Sequence, residues 1–166
     1  ASPEVLQYFA DLGLPVNEGW GMSEVSGLGT INPMSDIRFG TVGRALPGVE
    51  VKLDGDGELL LRAPLVMKGY RNDPERTAEA IEPDGWLHTG DIAQIDGDGY
   101  ITIVDRKKEI IINAAGKNMS PANIESHVKS ASPLIGQATA IGDKRPYNVA
   151  LIALDPDYAP VWAKGA

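Results

Sequence analysis

Turn-forming residues divide this sequence into short segments, and this division is what most restricts its fold. The 166 residues include 19 glycines and 12 prolines, which favour tight turns between short strands over a bundle of long helices. Residues 49–53 alternate apolar and polar side chains, residues 54–57 form an Asp-Gly turn, and residues 58–62 return. This arrangement predicts a β-hairpin. A second hairpin is expected where residues 86–95 meet residues 100–104 around an Asp-Gly-Asp-Gly turn.

Helical patterns are short and interrupted. Residues 3–12 place apolar side chains at the spacing of one helical face, and a glycine follows them. A capping residue followed by proline predicts two further helices, over residues 73–81 and residues 121–130. Residues 108–113, with three consecutive isoleucines, and residues 149–154 are expected to be strands.

The order of these elements predicts an α+β fold in two parts. Residues 1–104 form a β-rich unit with little helix, and residues 105–166 continue as strand, helix and strand. Asp105 lies at the junction. The chain begins with Ala1 rather than Met and stops at Ala166, and we interpret both ends as cut.

Charge and composition exclude several classes of protein. The formal net charge is -8, which argues against a nucleic-acid partner because phosphate contacts need clustered Lys and Arg. Cysteine is absent, so disulfides and thiolate metal sites are excluded. No apolar run approaches the roughly 20 residues of a membrane span. The composition therefore favours a soluble, cytoplasmic protein.

The first segment that suggests chemistry is Glu-Gly-Trp-Gly-Met-Ser-Glu, in which Trp20 stands between Gly19 and Gly21. An aromatic ring between glycines can lie against a planar ligand, because the bare backbone permits close approach. Ser23 and Glu24 follow, and they could bind a phosphate oxygen and a hard cation respectively. From the residues alone, a tight turn with a buried tryptophan and a solvated glutamate is the favoured interpretation.

Two later segments also combine glycine with polar residues. Asp91, beside a glycine, could accept hydrogen bonds from vicinal hydroxyls, although an acidic residue at a strand edge is the commoner explanation. His88 has no nearby Ser or Asp at triad spacing, so we expect it to be structural. Arg106 and Lys108 precede a loop around Gly116 that could open or move. Alone, this stretch would be a solvated strand start followed by a turn.

Taken together and in order, these segments resemble the adenylate-forming superfamily of acyl-CoA synthetases, peptide-synthetase adenylation domains and luciferases. The resemblance runs through nearly the whole chain. The matching runs are Trp20-Gly21-Met22-Ser23-Glu24, Gly43-Arg44 with Pro47-Gly48, Gly69-Tyr70 with Asn72-Asp73-Pro74-Glu75, residues 85–91, residues 105–109, Gly116-Lys117-Asn118 and residues 121–125.

The resemblance implies a fold and a reaction. Residues 1–104 would be the β-rich, distorted barrel-like end of a large N-terminal domain, and residues 105–166 the start of a small α+β C-terminal lid domain. In such enzymes a carboxylate attacks the α-phosphate of Mg-ATP to give an acyl-adenylate, and the CoA thiol then attacks the adenylate. Residues 108–121 look most like long-chain fatty acyl-CoA synthetases.

The same resemblance assigns roles to the first segment. Trp20 would stack near adenine, with Gly19 and Gly21 shaping the pocket. Ser23 would contact the α-phosphate, and Glu24 would hold Mg²⁺. ATP would bind at this site, and AMP would be left there once the CoA thiol has taken the acyl group.

The later segments acquire roles in the same way. Asp91 would bind the ribose hydroxyls, with Arg106 in support. Asp105 matches the hinge position, where a few backbone angles absorb a domain rotation. Lys108 would reach the nucleotide, and the loop around Gly116 would approach the CoA arm.

The chain departs from the family pattern in four ways. The phosphate loop and the C-terminal lysine of the family are absent from the 166 residues, so we expect the isolated chain not to turn over. Many relatives have Tyr where this chain has Trp20. Many also have Lys or Gly at the position of Ala115, and the detailed role of that loop is therefore open.

Other interpretations compete with a CoA ligase. The nearest is a fatty acyl-AMP ligase that loads a carrier protein. A non-enzymatic binding module is favoured if the natural chain is this short, and an unrelated β-rich interaction domain is the plainest alternative. For the ligase, the expected partners are fatty acid, ATP, CoA and the upstream remainder of the same chain, with peripheral membrane contact of the parent enzyme as a further expectation.

Overall fold

The computed structural model describes residues 3–114 and 116–165 and divides the chain into two compact units, residues 1–104 and 105–166. Both units combine helices with antiparallel strands, which confirms the predicted α+β class. That the first unit belongs to a large nucleotide-binding domain and the second to a mobile lid stays a prediction.

The first unit begins with a helix and a small sheet. Helix α1 spans Pro3–Asp11 and buries Leu6, which is 2% exposed. Gly13 follows it with φ of +77°, a conformation that glycine adopts readily at the end of a helix. Three two-residue strands then form an antiparallel sheet in the order β1-β2-β3. They are β1 (Gly19–Trp20), β2 (Thr30–Ile31) and β3 (Arg44–Ala45).

A larger sheet forms most of the first unit. Its four strands follow the order β4-β5-β6-β7, and the predicted hairpin of residues 49–62 is confirmed by the register of β4 against β5. The sheet is open, with β4 and β7 at its edges, so the described residues contain no closed barrel. The strands are β4 (Glu50–Leu53), β5 (Glu58–Arg62), β6 (Leu87–Ile95) and β7 (Ile101–Arg106).

The core of the first unit lies on the two faces of strand β5. On one face, Leu59 packs with Ile101 and Leu61 packs with Leu87, and all four are 0% exposed. Leu60, on the opposite face, is 1% exposed. Burial on both faces explains why this strand is a continuous apolar run rather than a strict alternation.

Helix α2 (Pro74–Ala80) connects β5 to β6 and begins as the sequence predicts. The backbone N–H of Arg76 donates to Asp73 Oδ1 at 3.0 Å. Asp73 is thus the N-cap, and Pro74 occupies the first turn, where its missing N–H costs nothing.

The described residues of the second unit form four strands and two helices. The strand predicted over residues 108–113 is shorter, because residues 107–109 form a turn in which the Glu109 N–H donates to the carbonyl of Arg106. Strand β10 lies between the predicted helix and the last predicted strand, and sequence patterning had not indicated it. The elements are β8 (Ile111–Ile112), β9 (Asn118–Met119), α3 (Pro121–Ser130), β10 (Ile135–Ile141), β11 (Val149–Leu154) and α4 (Tyr158–Gly165).

Within the second unit, α3 packs against β10, and β10 pairs with β11 in an antiparallel hairpin. Ser120 caps α3 by accepting from the N–H of Asn123 at 3.1 Å, as predicted. Among the described residues, no helix is long and apolar enough to cross a membrane.

Candidate functional site

Two glycines allow the chain to turn tightly after β1. A Cβ at Gly21 would overlap the carbonyl oxygen of Gly27, and a Cβ at Gly19 would lie 2.9 Å from the Thr30 carbonyl oxygen. Gly21 and Gly19 are therefore required by the close approach of the chain to itself. That they also shape a nucleotide pocket stays a prediction.

Trp20 and Asp91 are hydrogen-bonded although 71 residues separate them. The indole Nε1–H donates to Asp91 Oδ2 at 2.7 Å. Asp91 is 3% exposed, and the indole packs against both apolar clusters of the first unit. The residue expected to face adenine and the residue expected to face ribose are thus neighbours in space. Trp20 is partly buried against the core, whereas the plainer interpretation of its segment had a buried tryptophan.

Glu24 lies in a 3-10 turn, Ser23–Val25, between β1 and β2. Its Oε1 accepts from the hydroxyl of Tyr70 at 2.9 Å, and its backbone carbonyl accepts from the N–H of Met67 at 2.7 Å. Burial, followed by the hydrogen bond to the Glu24 carboxylate, raises the pKa of Tyr70 above its usual 10.0. The tyrosine therefore stays protonated and remains a donor that fixes the carboxylate.

Two polar side chains of this segment are reached by solvent to different extents. Ser23 is exposed and Glu24 is half-buried, so both are accessible to a ligand. Tyr70 additionally lines an open cleft of about 560 Å³ together with Lys68 and Asn72.

The remaining predicted residues lie in residues 105–166, and the first two of them, Asp105 and Arg106, are the last residues of β7. Asp105 is 8% exposed, and its Oδ1 accepts from the N–H of Arg106 at 2.7 Å, while its buried Oδ2 has no hydrogen-bond partner among the described residues. Arg106, Lys108 and Gly116 are exposed. Gly116 has φ of +76°, which only glycine adopts without strain. Ala115 lies outside the described residues.

The structure thus brings Trp20 and Asp91 into contact. Glu24 and Ser23, which follow Trp20 closely in the sequence, share one 3-10 turn. It adds Tyr70, which the sequence alone had left as part of a motif match without a role. The signal was present: Tyr70 follows Gly69 in one of the matching runs. The pairing of its hydroxyl with a carboxylate 46 residues away depends on tertiary structure.

Two family models match this chain. The model of the AMP-binding enzyme family matches residues 1–71, and that of the AMP-binding enzyme C-terminal domain matches residues 108–162. The chain belongs to the AMP-binding enzyme family.

Curated relatives are fatty-acid–CoA ligases by name. The putative fatty-acid–CoA ligase fadD11 of Mycobacterium tuberculosis is 59% identical over 154 residues, which are 93% of this chain and 27% of that protein. The long-chain-fatty-acid–CoA ligase FadD15 of Mycobacterium bovis is 44% identical over 155 residues, 93% of this chain and 26% of that protein. The chain therefore spans about a quarter of the length of these relatives.

Solved structures share the fold. The O-succinylbenzoate Coenzyme A synthetase (MenE) of Bacillus subtilis, in complex with ATP and magnesium ion, is 28% identical with a TM-score of 0.78, over 93% of this chain and 34% of that one. ATP-bound MatB of Rhodopseudomonas palustris is 32% identical with a TM-score of 0.76, over 93% of this chain and 33% of that one.

Proposed function

We propose that this chain is part of an AMP-forming long-chain fatty acid–CoA ligase, and that its first unit binds the nucleotide. The observation that carries the proposal is the hydrogen bond between Trp20 and Asp91, because it joins the two residues that the family resemblance assigns to adenine and ribose. The names of the relatives support the substrate class. The nucleotide complexes of the structural neighbours support ATP as co-substrate.

In this proposal the first unit positions the reacting phosphate. Ser23 is exposed at the start of its 3-10 turn, where its hydroxyl can donate to an α-phosphate oxygen. The fatty-acid carboxylate attacks that phosphorus, the bond to pyrophosphate breaks, and an acyl-adenylate forms. Adenylyl transfer of this kind depends mainly on positioning and charge neutralisation, since no protein nucleophile takes part.

The residues present fit a magnesium ion that is shared with the substrate. Glu24 supplies one half-buried carboxylate, and Tyr70 fixes one of its oxygens. No group of three or more acidic or histidine side chains that could hold a metal is found among the described residues. Mg²⁺ commonly binds one or two carboxylates plus substrate phosphates, and one carboxylate therefore suffices here. When bound, the ion would neutralise phosphate charge.

The second unit would serve the thioester step. Asp105 would be the hinge, and the exposed Arg106 and Lys108 would face the nucleotide during one of the two half-reactions. The loop around Gly116 would approach the CoA arm. Hydrogen exchange tests the hinge: the amides of residues 105–110 should exchange faster than those of β6, whereas uniform protection across residues 100–110 would count against it.

Nucleotide binding by the chain is the direct test of the first unit. AMP should quench Trp20 fluorescence, and the quenching should be lost when Trp20 is replaced by Leu. Trp162→Leu is the matched control, because that tryptophan is 53% exposed and lies in the second unit. If AMP quenches the fluorescence of the wild type and of Trp20→Leu equally, Trp20 is not part of the site.

The reaction is tested in the gene product that contains this sequence. Pyrophosphate release is measured with ATP, Mg²⁺ and a panel of fatty acids, with and without CoA. Thioester formation on long-chain acids, lost in Glu24→Ala and kept in the exposed control Glu75→Ala, would support the ligase and the role of Glu24 in metal binding. Adenylate that accumulates without passing to CoA would point to a carrier-loading ligase. No pyrophosphate from any carboxylate would leave a binding module. The 166-residue chain alone should give none.

A further inference from the structure

A histidine in the first unit lies between two carboxylates. His88 Nδ1 is 3.1 Å from Glu58 Oε2, and its Nε2 is 3.0 Å from Glu82 Oε1. Glu58 belongs to strand β5, whereas Glu82 lies in the turn after α2. The side chain of Glu58 is only 4% exposed, and that of His88 is 29% exposed. A buried carboxylate of this kind needs hydrogen-bond donors on both oxygens.

The second oxygen of Glu58 holds the backbone beside Asp91. Its Oε1 accepts from the N–H of Gly90 at 2.8 Å. Gly90 has φ of +72°, so the chain departs from regular strand geometry at this residue. The contact therefore fixes an irregular backbone rather than a ladder position.

This irregularity is a bulge in β6. Glu58 pairs with Ile92, and Leu60 pairs with His88, so residues 89–91 lie opposite Leu59 alone. The bulge is closed further by Thr89, whose hydroxyl donates to the Leu59 carbonyl at 2.7 Å and accepts from the Asp91 N–H at 3.1 Å. Bulges of this type redirect a side chain and are common next to active sites.

The redirected side chain is that of Asp91. Its Oδ2 meets the indole N–H of Trp20 at 2.7 Å. Glu58 thus holds the backbone on one side of Asp91, and Trp20 holds its carboxylate on the other. Neither Glu58 nor His88 is assigned to the nucleotide by the family resemblance.

We propose that Glu58, held by His88, which Glu82 holds in turn, is a positioning residue that fixes the β6 bulge and so presents the Asp91 carboxylate to Trp20 and to the ribose of the nucleotide. The contact of Asp91 with ribose rests on the proposed function, whereas the link from Glu58 to the Trp20–Asp91 hydrogen bond does not depend on it. Glutamate suits the position because both oxygens accept. Glutamine keeps one acceptor for Gly90 and offers an amide N–H to a neutral imidazole.

The link is tested by NMR on the 166-residue chain, through solvent exchange of the Trp20 indole N–H. Glu58→Ala should accelerate this exchange at least tenfold, together with that of the Gly90 amide, while Glu58→Gln should restore most of the protection. Glu50→Ala is the matched control, because Glu50 forms an exposed ion pair with Arg62 on the neighbouring strand. A folded Glu58→Ala chain with unchanged Trp20 exchange would overturn the proposal.

A pH profile separates positioning from general stability and does not depend on the alanine variant folding. Two charged side chains contact the His88 ring: Glu58 of β5 and Glu82 of the turn after α2. When the imidazolium of His88 loses a proton, one of the two carboxylates faces a nitrogen lone pair instead of an N–H donor. The ratio of the indole N–H exchange rate of Trp20 to that of the exposed Trp162 should therefore rise with pH in the wild type. The same ratio should stay constant in Glu58→Gln. A flat profile in the wild type would overturn the clamp by His88.

AMP binding distinguishes this proposal from the proposed function. If the wild type binds AMP, Glu58→Ala should weaken binding about tenfold, which corresponds to about 1.4 kcal/mol, and Glu58→Gln should bind nearly as the wild type does. If Glu58→Ala binds AMP as tightly as the wild type does, the inferred effect of Glu58 on ribose binding is overturned. If the wild type does not bind AMP, the nucleotide role of the first unit fails, and the contact of Asp91 with ribose fails with it. The Trp20 exchange experiment still decides the link from Glu58 to Asp91.

Discussion

The indole of Trp20 packs against the core and also hydrogen-bonds a buried carboxylate. Its ring packs against both apolar clusters of the first unit, and its N–H satisfies a carboxylate that is 3% exposed. A buried carboxylate without donors is costly. The aromatic residue at this position is therefore tied to the carboxylate, and a change at one affects the other.

Replacing Trp20 by Phe removes the N–H that Asp91 accepts while keeping an aromatic ring. We expect the free energy of unfolding of the first unit to fall by about 1–3 kcal/mol, since a buried carboxylate loses this hydrogen bond. Urea unfolding followed by circular dichroism measures the change. Trp162→Phe, at an exposed position, should change it much less. Equal effects of the two substitutions would show that the hydrogen bond contributes nothing to stability.

His88 predicts a dependence of stability on pH. Burial lowers its pKa, but the hydrogen bonds and charges of Glu58 and Glu82 outweigh burial and raise the pKa above 6.5. Because the folded-state pKa is the higher one, the stabilisation is fully present below pH 6.5 and is lost as pH rises through the folded-state pKa. The difference in unfolding free energy between wild type and His88→Gln should therefore shrink with rising pH.

The control for this titration is His127→Gln. The His127 ring is exposed, and its Nδ1 lies 2.7 Å from the backbone carbonyl of Asn123, so this variant corrects for loss of an imidazole. A difference for His88→Gln that stays constant between pH 5 and pH 8 would contradict the charged clamp described above.

At the scale of elements, the turn between β1 and β2 depends on glycine for a steric reason. A Cβ at Gly21 would overlap backbone atoms of Gly27, and backbone cannot move aside as a side chain can. We expect Gly21→Ala to destabilise the first unit by about 2–3 kcal/mol or more, as overpacking does. Gly55→Ala is the control, because no atom lies within 4 Å of its added Cβ. A melting temperature of Gly21→Ala that matches that of Gly55→Ala would refute the clash.

Elements with local signals were predictable from the sequence. The hairpin of residues 49–62 carries its own turn, and the caps at Asp73 and Ser120 lie next to the helices that they begin. Strand β10 was missed because one of its faces consists of Gly136, Ala138 and Ala140, which have low strand propensity. These small residues suit the face because α3 packs against β10.

The candidate site was predictable in composition but not in arrangement. Motifs indicated Trp20, Glu24 and Asp91 as separate candidates. The partners that fix them, Tyr70 and Glu58, come from distant strands and loops. Tyr70 stands in a matching run, but no local pattern pairs it with Glu24, and none marks Glu58. Glu58 in particular resembles an ordinary residue at the start of a hairpin strand. Only the pairing of β5 with β6 shows that its carboxylate is buried under the bulge.

At the scale of the whole molecule, the two units differ in how well they bury their strands. Strand β5 of the first unit has four consecutive buried residues, whereas all six residues of β11 in the second unit are exposed. In the described part of the chain, β11 pairs with β10 alone. Its other edge therefore offers unpaired backbone groups beside apolar side chains, a combination that promotes association between chains.

This exposure predicts that the 166-residue chain self-associates. Leu151 is 65% exposed at the centre of β11, and lysine at an edge strand opposes pairing through charge. Sedimentation velocity at rising micromolar concentration should show mass above 17.7 kDa for the wild type and a return toward the monomer for Leu151→Lys. Met34→Lys is the control, since Met34 is 70% exposed but lies outside any strand. It should leave association unchanged. A wild type that stays monomeric throughout, or equal effects of the two lysines, would show that the β11 edge does not drive association.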